Sequence, residues 1–197
     1  LSIQREDANV HNLTAITALG SSVPSVDTVD GATLCENAEL ALASVHARIG
    51  HETACRAALA DLLDGRVPDV GKVILRDPEA AFWTGPDQWM VGAPYETHED
   101  LDAQLKARFG ASASITEQSD AWACFDLQGA KMERVMELLC PINIRAMQTG
   151  DVQRTSLHHL GCFVIRRDPS DWVRILGPRA SAGSLHHAIV TAMRSIV

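Results

Sequence analysis

No run in the sequence approaches the ~18 apolar residues of a membrane span, so no membrane-spanning helix is expected. The first ten residues, LSIQREDANV, have neither the basic start nor the apolar core of a secretory signal, and no initiator Met precedes them. The expectation is a chain trimmed or numbered after its Met. There is no CxxC. The five cysteines (Cys35, Cys55, Cys124, Cys140 and Cys162) are odd in number and widely spaced, so they read as reduced thiols, mostly small core residues. GxGxxG and GxxxxGK[ST] are both absent, which removes the glycine-rich phosphate loops. A basic stripe is missing too. The net charge is −8, with 16 acids and 6 bases in residues 1–100 against 9 acids and 11 bases in residues 101–197. An acidic half joined to a nearly neutral one does not fit a nucleic-acid binder. Lysine is scarce, with Arg the commoner base, which suits fixed bidentate pairs, although genome base composition explains it equally well.

What is present is ordinary globular material: 197 residues, 46% hydrophobic and 21% charged. That is enough for one medium domain, or two small ones sharing a core, and excludes a disordered chain. Residues 1–35 carry little apolar pattern and read as an irregular N-terminal arm laid over a partner. Residues 36–197 read as one domain. Ala41, Ala43, Val45, Ala47 and Ile49 recur at period two and predict a strand, with helix as the alternative. Cys55, Leu59, Leu62 and Leu63 predict a helix that ends at Gly65.

Two apolar runs flanking Gly85-Pro86-Asp87-Gln88 predict a hairpin. Thr97 is the expected N-cap of a helix bearing Leu101, Leu105, Ala107 and Phe109. Residues 114–127 should be a strand region. Gly129 to Leu139 should be a helix stopped by Cys140-Pro141. Residues 152–167 read as one long strand, turned by Asp168-Pro169-Ser170-Asp171 into a second from Trp172. A helix from Ala182 carries Leu185, Ala188, Ile189, Ala192, Met193 and Ile196. No repeat of identical spacing stands out. The order predicts an α+β fold with ferredoxin-like βαββαβ elements, a mixed or antiparallel sheet, and helices on one face.

Candidate chemistry is sparse. His158-His159, in a strand, would point to opposite faces, and His186-His187, on a helix, would diverge by about 100°. Neither pair has zinc-like spacing to a third ligand. A Cys–His nucleophile pair has no local signature, and Cys140 reads as a helix end inside the core. Gly177 to Ser184 opens a helix and includes Arg179. It reads as a β–α turn capped by Ser181 or Ser184, with anion binding as the alternative. Trp83, Trp89, Trp122 and Trp172 all fall in expected strands, as core residues with bonded indole N–H groups or as interface anchors. No catalytic, cofactor-binding or metal-ligating residue is therefore assigned.

The stretch Trp83-Thr84-Gly85-Pro86-Asp87-Gln88-Trp89-Met90 resembles the W-x-G-P-D-[EQ]-W hairpin of the γ subunits of heterotetrameric sarcosine oxidases. Further similarities follow in that family's order: Asp120-Ala121-Trp122-Ala123, Leu139-Cys140-Pro141-Ile142-Asn143, Gly150-Asp151-Val152-Gln153-Arg154-Thr155 and Arg179-Ala180-Ser181-Ala182-Gly183-Ser184-Leu185. Those subunits resemble the folate-binding domain of the glycine cleavage T-protein. Where T-proteins tend to show Asp-x-Ser, this chain has Glu117-Gln118-Ser119. The resemblance implies a T-protein-like fold and a non-catalytic subunit of an αβγδ complex of the bacterial cytoplasm. That complex demethylates sarcosine with O₂ to glycine, hydrogen peroxide and formaldehyde, or 5,10-methylenetetrahydrofolate. It further implies that FAD, FMN, NAD and tetrahydrofolate lie on the α and β chains and zinc on δ, with the main contact to α. A stand-alone tetrahydrofolate-binding module is the alternative.

Overall fold

The computed structural model describes residues 14–167 and 171–196. In chain order the strands and helices are β1 (Val26–Val29), β2 (Ala32–Glu36), β3 (Leu40–Ala47), α1 (Glu52–Leu62), β4 (Val73–Ile74), β5 (Ala80–Gly85), β6 (Gln88–Pro94) and α2 (Leu101–Phe109). Then come β7 (Ala113–Glu117), β8 (Trp122–Gln128), α3 (Met132–Leu139), β9 (Val152–Leu157), β10 (Leu160–Arg166), β11 (Trp172–Pro178) and α4 (Ala182–Ser195).

The strands form two sheets in which every pairing is antiparallel. One has the order β1-β2-β8-β11-β10-β9, the other β4-β5-β6-β3-β7. Helices α3 and α4 cover the outer face of the first sheet through Met132, Val135, Met136, Leu185, Ile189 and Met193 against Leu34, Phe125, Val164 and Ile175. Helices α1 and α2 cover the second through Leu59, Leu62, Leu105 and Phe109 against Ala43, Val45, Trp89 and Val91. The inner faces meet through Leu42, Phe82, Met90, Cys124, Phe163, Ile165 and Leu176, with Phe82 and Phe163 edge to face at 5.2 Å. Full burial of side chains of this size is worth about 1.5–3 kcal/mol each, so three apolar layers hold the four-layer sandwich together.

The antiparallel alternative holds, but the expectation of a single sheet with helices on one face is corrected to two sheets, each with its own helices. Strand β3 explains why. Ala41, Ala43 and Val45 face the helices and Leu42 faces the other sheet, so both sides of the strand are buried. The expected strand region 114–127 is two strands in different sheets, β7 and β8, parted by a 3-10 turn at Ser119–Ala121. Ile49 is 97% exposed because the strand ends at Ala47, and Ala107 is exposed beside the buried Leu105 and Phe109. Helix α2 starts at Leu101. Thr97 ends a separate 3-10 turn and bonds Pro94 O and His98 instead of capping the helix. The Gly85–Gln88 hairpin forms as expected, with Asp87 at φ 52°.

The sheets are two copies of one topology. Reading β3-α1-β4-β5-β6-α2-β7 against β8-α3-β9-β10-β11-α4 superposes the strand orders, with β2 taking the place of β7. The registers agree: Leu40 pairs with Pro94 as Trp122 pairs with Pro178, and Ala43 pairs with Glu117 as Phe125 pairs with Glu36. The equivalent strands even read alike, ATLCE in β2 and ASITE in β7. The second copy takes its last strand from the N-terminal side, so the repeat shows no uniform spacing along the chain.

The arm needs correction as well. Residues 26–36 form the β1–β2 hairpin, and residues 14–25 lie on the chain's own surface, where Ala18 and Leu19 pack on the first core. Residues 1–13 lie outside the described residues, as do 168–170 of the expected Asp168–Asp171 turn. The long strand 152–167 is a hairpin whose two-residue turn is His158-His159, with φ of 46° and 70°. Both turn residues sit in the left-handed region, which Asn-Gly fills with least strain. Replacing His158-His159 by Asn-Gly is expected to stabilise the protein by about 1–2 kcal/mol in urea unfolding. A loss of stability would show that the imidazoles make contacts worth more than the backbone strain.

Candidate functional site

Where the ends of the two sheets converge, the repeat brings equivalent residues together around a cavity of about 540 Å³. Leu40 and Trp122 open β3 and β8, and Tyr95 and Arg179 follow Pro94 and Pro178. All four line the cavity, and the segment from Ala15 to Ala18 closes one side. Pro at the end of β6 and of β11 cannot donate to a ladder, so each strand stops and a 3-10 turn begins. These turns set Tyr95 and Arg179 beside the opening.

Most polar groups in the wall hold loops. The Glu36 carboxylate, 6% exposed, accepts from Leu19 N at 2.9 Å and Ser25 N at 3.2 Å, which fastens the arm. Arg179 donates to Ile16 O at 3.2 Å and lies 3.4 Å from Asp120. Ser119 Oγ accepts from Leu42 N at 3.0 Å. Asn37 donates to Asp126, whose carboxylate also takes two bonds of 2.8 Å from Arg174 and one of 3.0 Å from the Trp172 indole. Burial opposes ionisation of Asp126, but Arg174, Asn37 and Trp172 together hold its carboxyl below the usual range. Tyr95 is 42% exposed, and the charge of Glu99, aided by Asp120 and Glu117, raises its phenol.

The residues singled out from sequence are dispersed. His158 and His159 are exposed at the hairpin tip, not in a strand. His186 Nε2 meets Asp27 at 2.8 Å and ties α4 to β1, while His187 is exposed. Cys55, Cys124, Cys140 and Cys162 are buried and Cys35 is half-buried; all five are free thiols. Burial pushes the Cys124 thiol up to about 12, the wrong direction for a nucleophile. Cys140 follows α3 and bonds back to Met136 O. Ser181 occupies the N-cap position of α4 but makes no capping bond, and Arg179 faces the cavity. Among the described residues, no group of three or more His, Cys, Asp or Glu is placed to hold a metal ion. None of their helices is long and apolar enough to cross a membrane. Glu117-Gln118-Ser119 forms a tight turn, with the Glu117 carboxylate accepting from Ser119 N.

The tryptophans divide. Trp89 is fully buried and donates to Pro68 O at 3.2 Å, and Trp172 donates to Asp126. The Trp122 indole N–H is buried without an acceptor, with the ring 5.4 Å from that of Phe163. An unpaired buried donor carries a penalty of about 1–3 kcal/mol, close to what a smaller ring loses in packing. Trp122→Phe is therefore expected to change stability by under about 1 kcal/mol, whereas Trp89→Phe loses about 2–4 kcal/mol. Equal losses in urea unfolding would show that the Trp122 donor is satisfied. Sequence reasoning missed this cavity because its walls come from six separated segments. Its one local signal was Pro following an apolar strand, at Pro94 and Pro178.

No family model matches the sequence, and no curated protein matches it. Solved structures share its architecture. A chain of the heterotetrameric sarcosine oxidase from Corynebacterium sp. U-96, solved with pyrrole 2-carboxylate, is similar with a TM-score of 0.72 and 22% identity, over 86% of this chain and 87% of that one. The glycine cleavage system aminomethyltransferase T from Bartonella henselae is similar with a TM-score of 0.62 and 15% identity, over 83% of this chain and 46% of that one. The chain thus spans about half of the aminomethyltransferase and nearly all of the oxidase chain. These likenesses establish the fold as the two-sheet α+β architecture shared with a sarcosine oxidase chain and with part of a T-protein.

Proposed function

We propose that this chain is a non-catalytic structural subunit, of the γ type, in a heterotetrameric sarcosine oxidase of the bacterial cytoplasm. The complex oxidatively demethylates sarcosine to glycine with O₂, releasing hydrogen peroxide and formaldehyde, or 5,10-methylenetetrahydrofolate when tetrahydrofolate is present. The likeness to one oxidase chain over nearly the full length of both carries this reading. The cavity agrees with it. Its Glu36 and Arg179 are engaged in holding loops, and its one thiol is buried with a raised pKa. FAD, FMN, NAD, tetrahydrofolate and zinc belong in this reading to the α, β and δ chains, and the main contact is with α.

The test is native mass spectrometry of the tagged chain from its own host, with an absorption scan of the same sample. A yellow complex holding three further chains is the expected result. A colourless monomer overturns the reading. The cavity of about 540 Å³ and the likeness to an aminomethyltransferase favour a second reading, a stand-alone tetrahydrofolate-binding module. Calorimetry of the isolated chain with tetrahydrofolate at tens of micromolar decides it, since binding at that level corresponds to roughly −6 kcal/mol. No heat removes the second reading.

A further inference from the structure

The internal repeat leaves one difference between its halves. In the six-stranded sheet β2 is covered on its outer side by β1, while in the five-stranded sheet the equivalent β7 is the edge. The backbone phase is the same in both. Bonds from Asn37 N to Cys124 O and from Gln118 N to Leu42 O mark the residues that face the inner neighbour. By alternation, Ala32, Leu34 and Glu36 of β2 turn outward, and so do Ala113, Ile115 and Glu117 of β7. On β2 those groups are used. Glu36 N donates to Ser25 O at 2.8 Å, and the Glu36 carboxylate collects the N–H groups of Leu19 and Ser25. Among the described residues no backbone partner meets Glu117 N, and the Glu117 carboxylate reaches only Ser119 N.

Among the described residues no strand pairs with this edge, and Ser114, Ile115 and Thr116 include no Lys, Pro or bulge, devices that blunt an edge strand. Ile115 packs on the helix-covered core and extends that core to the sheet margin, as Val29 of β1 extends the core of the other half. Near the Glu117 end stand Glu99, the exposed ring of Tyr95 and Asp120, the last 3.4 Å from Arg179, whereas Arg48 lies at the far end near Ser114.

We infer that β7 is a docking edge on which an extended segment of a partner chain adds as a sixth strand, antiparallel, in the position β1 holds on β2. The Glu117 carboxylate and N–H receive the segment's first backbone groups, as Glu36 receives Ser25. An apolar residue of the segment continues the core beyond Ile115. A Lys or Arg at its start meets Glu99, Glu117 and the Tyr95 ring. The inference rests on the subunit reading in that it supplies that subunit's grip on its neighbour.

The tagged full-length chain, purified with whatever it binds in its own host, is compared with the free chain by hydrogen exchange and native mass spectrometry. Exchange across residues 113–118 is expected to slow at least about tenfold in the complex. Glu117→Pro removes an outward N–H without touching the bonds to β3, and is expected to weaken partner retention about tenfold or more. Glu117→Gln keeps the N–H and should retain the partner more strongly than Glu117→Pro. Protection of β7 by chains that are not an oxidase upholds the docking edge and overturns the subunit reading. An oxidase complex with β7 exchanging as in the free chain overturns the docking edge alone. A homodimer, or a monomer with no bound chain, overturns both.

Discussion

Arg174→Met is expected to destabilise the protein by about 3–5 kcal/mol at neutral pH. The guanidinium makes two bonds of 2.8 Å to Asp126, and the two side chains are only 13% and 8% exposed. Without Arg174 the carboxylate keeps only the Trp172 indole and the Asn37 amide, too little for a buried charge. Replacing both partners, Asp126→Leu with Arg174→Met, should recover much of the loss, because an apolar pair needs no neutralising partner. The pH dependence follows from the lowered Asp126 pKa in the fold. A depressed carboxyl contributes stability that is present above its unfolded value of about 3.9 and is lost as pH falls through the folded value. In Arg174→Met the buried carboxyl instead favours its proton, so acid helps the variant. The gap between wild type and variant should narrow from pH 7 toward pH 4 in urea titrations. A gap that is constant across that range would show that Arg174 acts by packing rather than charge.

Gly129→Ala is expected to be as damaging, for a steric reason. Gly129 links β8 to α3 at φ 112°, and a Cβ there would stand 2.3 Å from Gly31 O, a backbone atom of the β1–β2 turn. The left-handed backbone costs about 1–2 kcal/mol for an L side chain, and forcing two backbones apart about 1–3 kcal/mol more. A total of about 2–5 kcal/mol should lower Tm by roughly 4–20 °C at this chain length. Gly183→Ala supplies the contrast. It lies in the first turn of α4 with nothing within 4 Å of its Cβ, so it should raise stability by up to about 1 kcal/mol. If both variants melt together, the close approach of Gly31 to Gly129 is not part of the native packing.

Local chemistry was readable wherever it acts over a few residues. Pro86-Asp87 announces its hairpin because both residues restrict their own backbone. The stripe from Leu185 to Ile196 announces α4 because one apolar face must be buried. The turn at His158-His159 was unreadable, since a His pair does not mark a turn as Asn-Gly does, and the pairing of β9 with β10 sets both residues in left-handed backbone. The cavity was unreadable for a related reason. Trp122, Tyr95 and Arg179 are far apart in sequence, and each looks like an ordinary strand-end or loop residue until the sheets converge. The arm misled because β1 is short, exposed on one side and polar at Asp27, and becomes a strand only against β2.

Taken alone, the amino-acid order determined the elements that arise from short-range forces. These are an α+β content, one turn with its own stereochemistry, amphipathic helices, and cysteines suited to a core. Two sheets packed face to face, with a duplicated topology, depended on contacts between distant segments. Leu42, Phe82, Phe163 and Leu176 come from both halves of the chain and have no reason to meet until both sheets exist. The same holds for the edge that distinguishes the halves. ATLCE and ASITE are nearly interchangeable as sequences, yet β2 is covered and β7 is open. The difference lies in which neighbouring backbone reaches each strand, and hydrogen bonds between backbones carry no trace in the side chains that a sequence spells out.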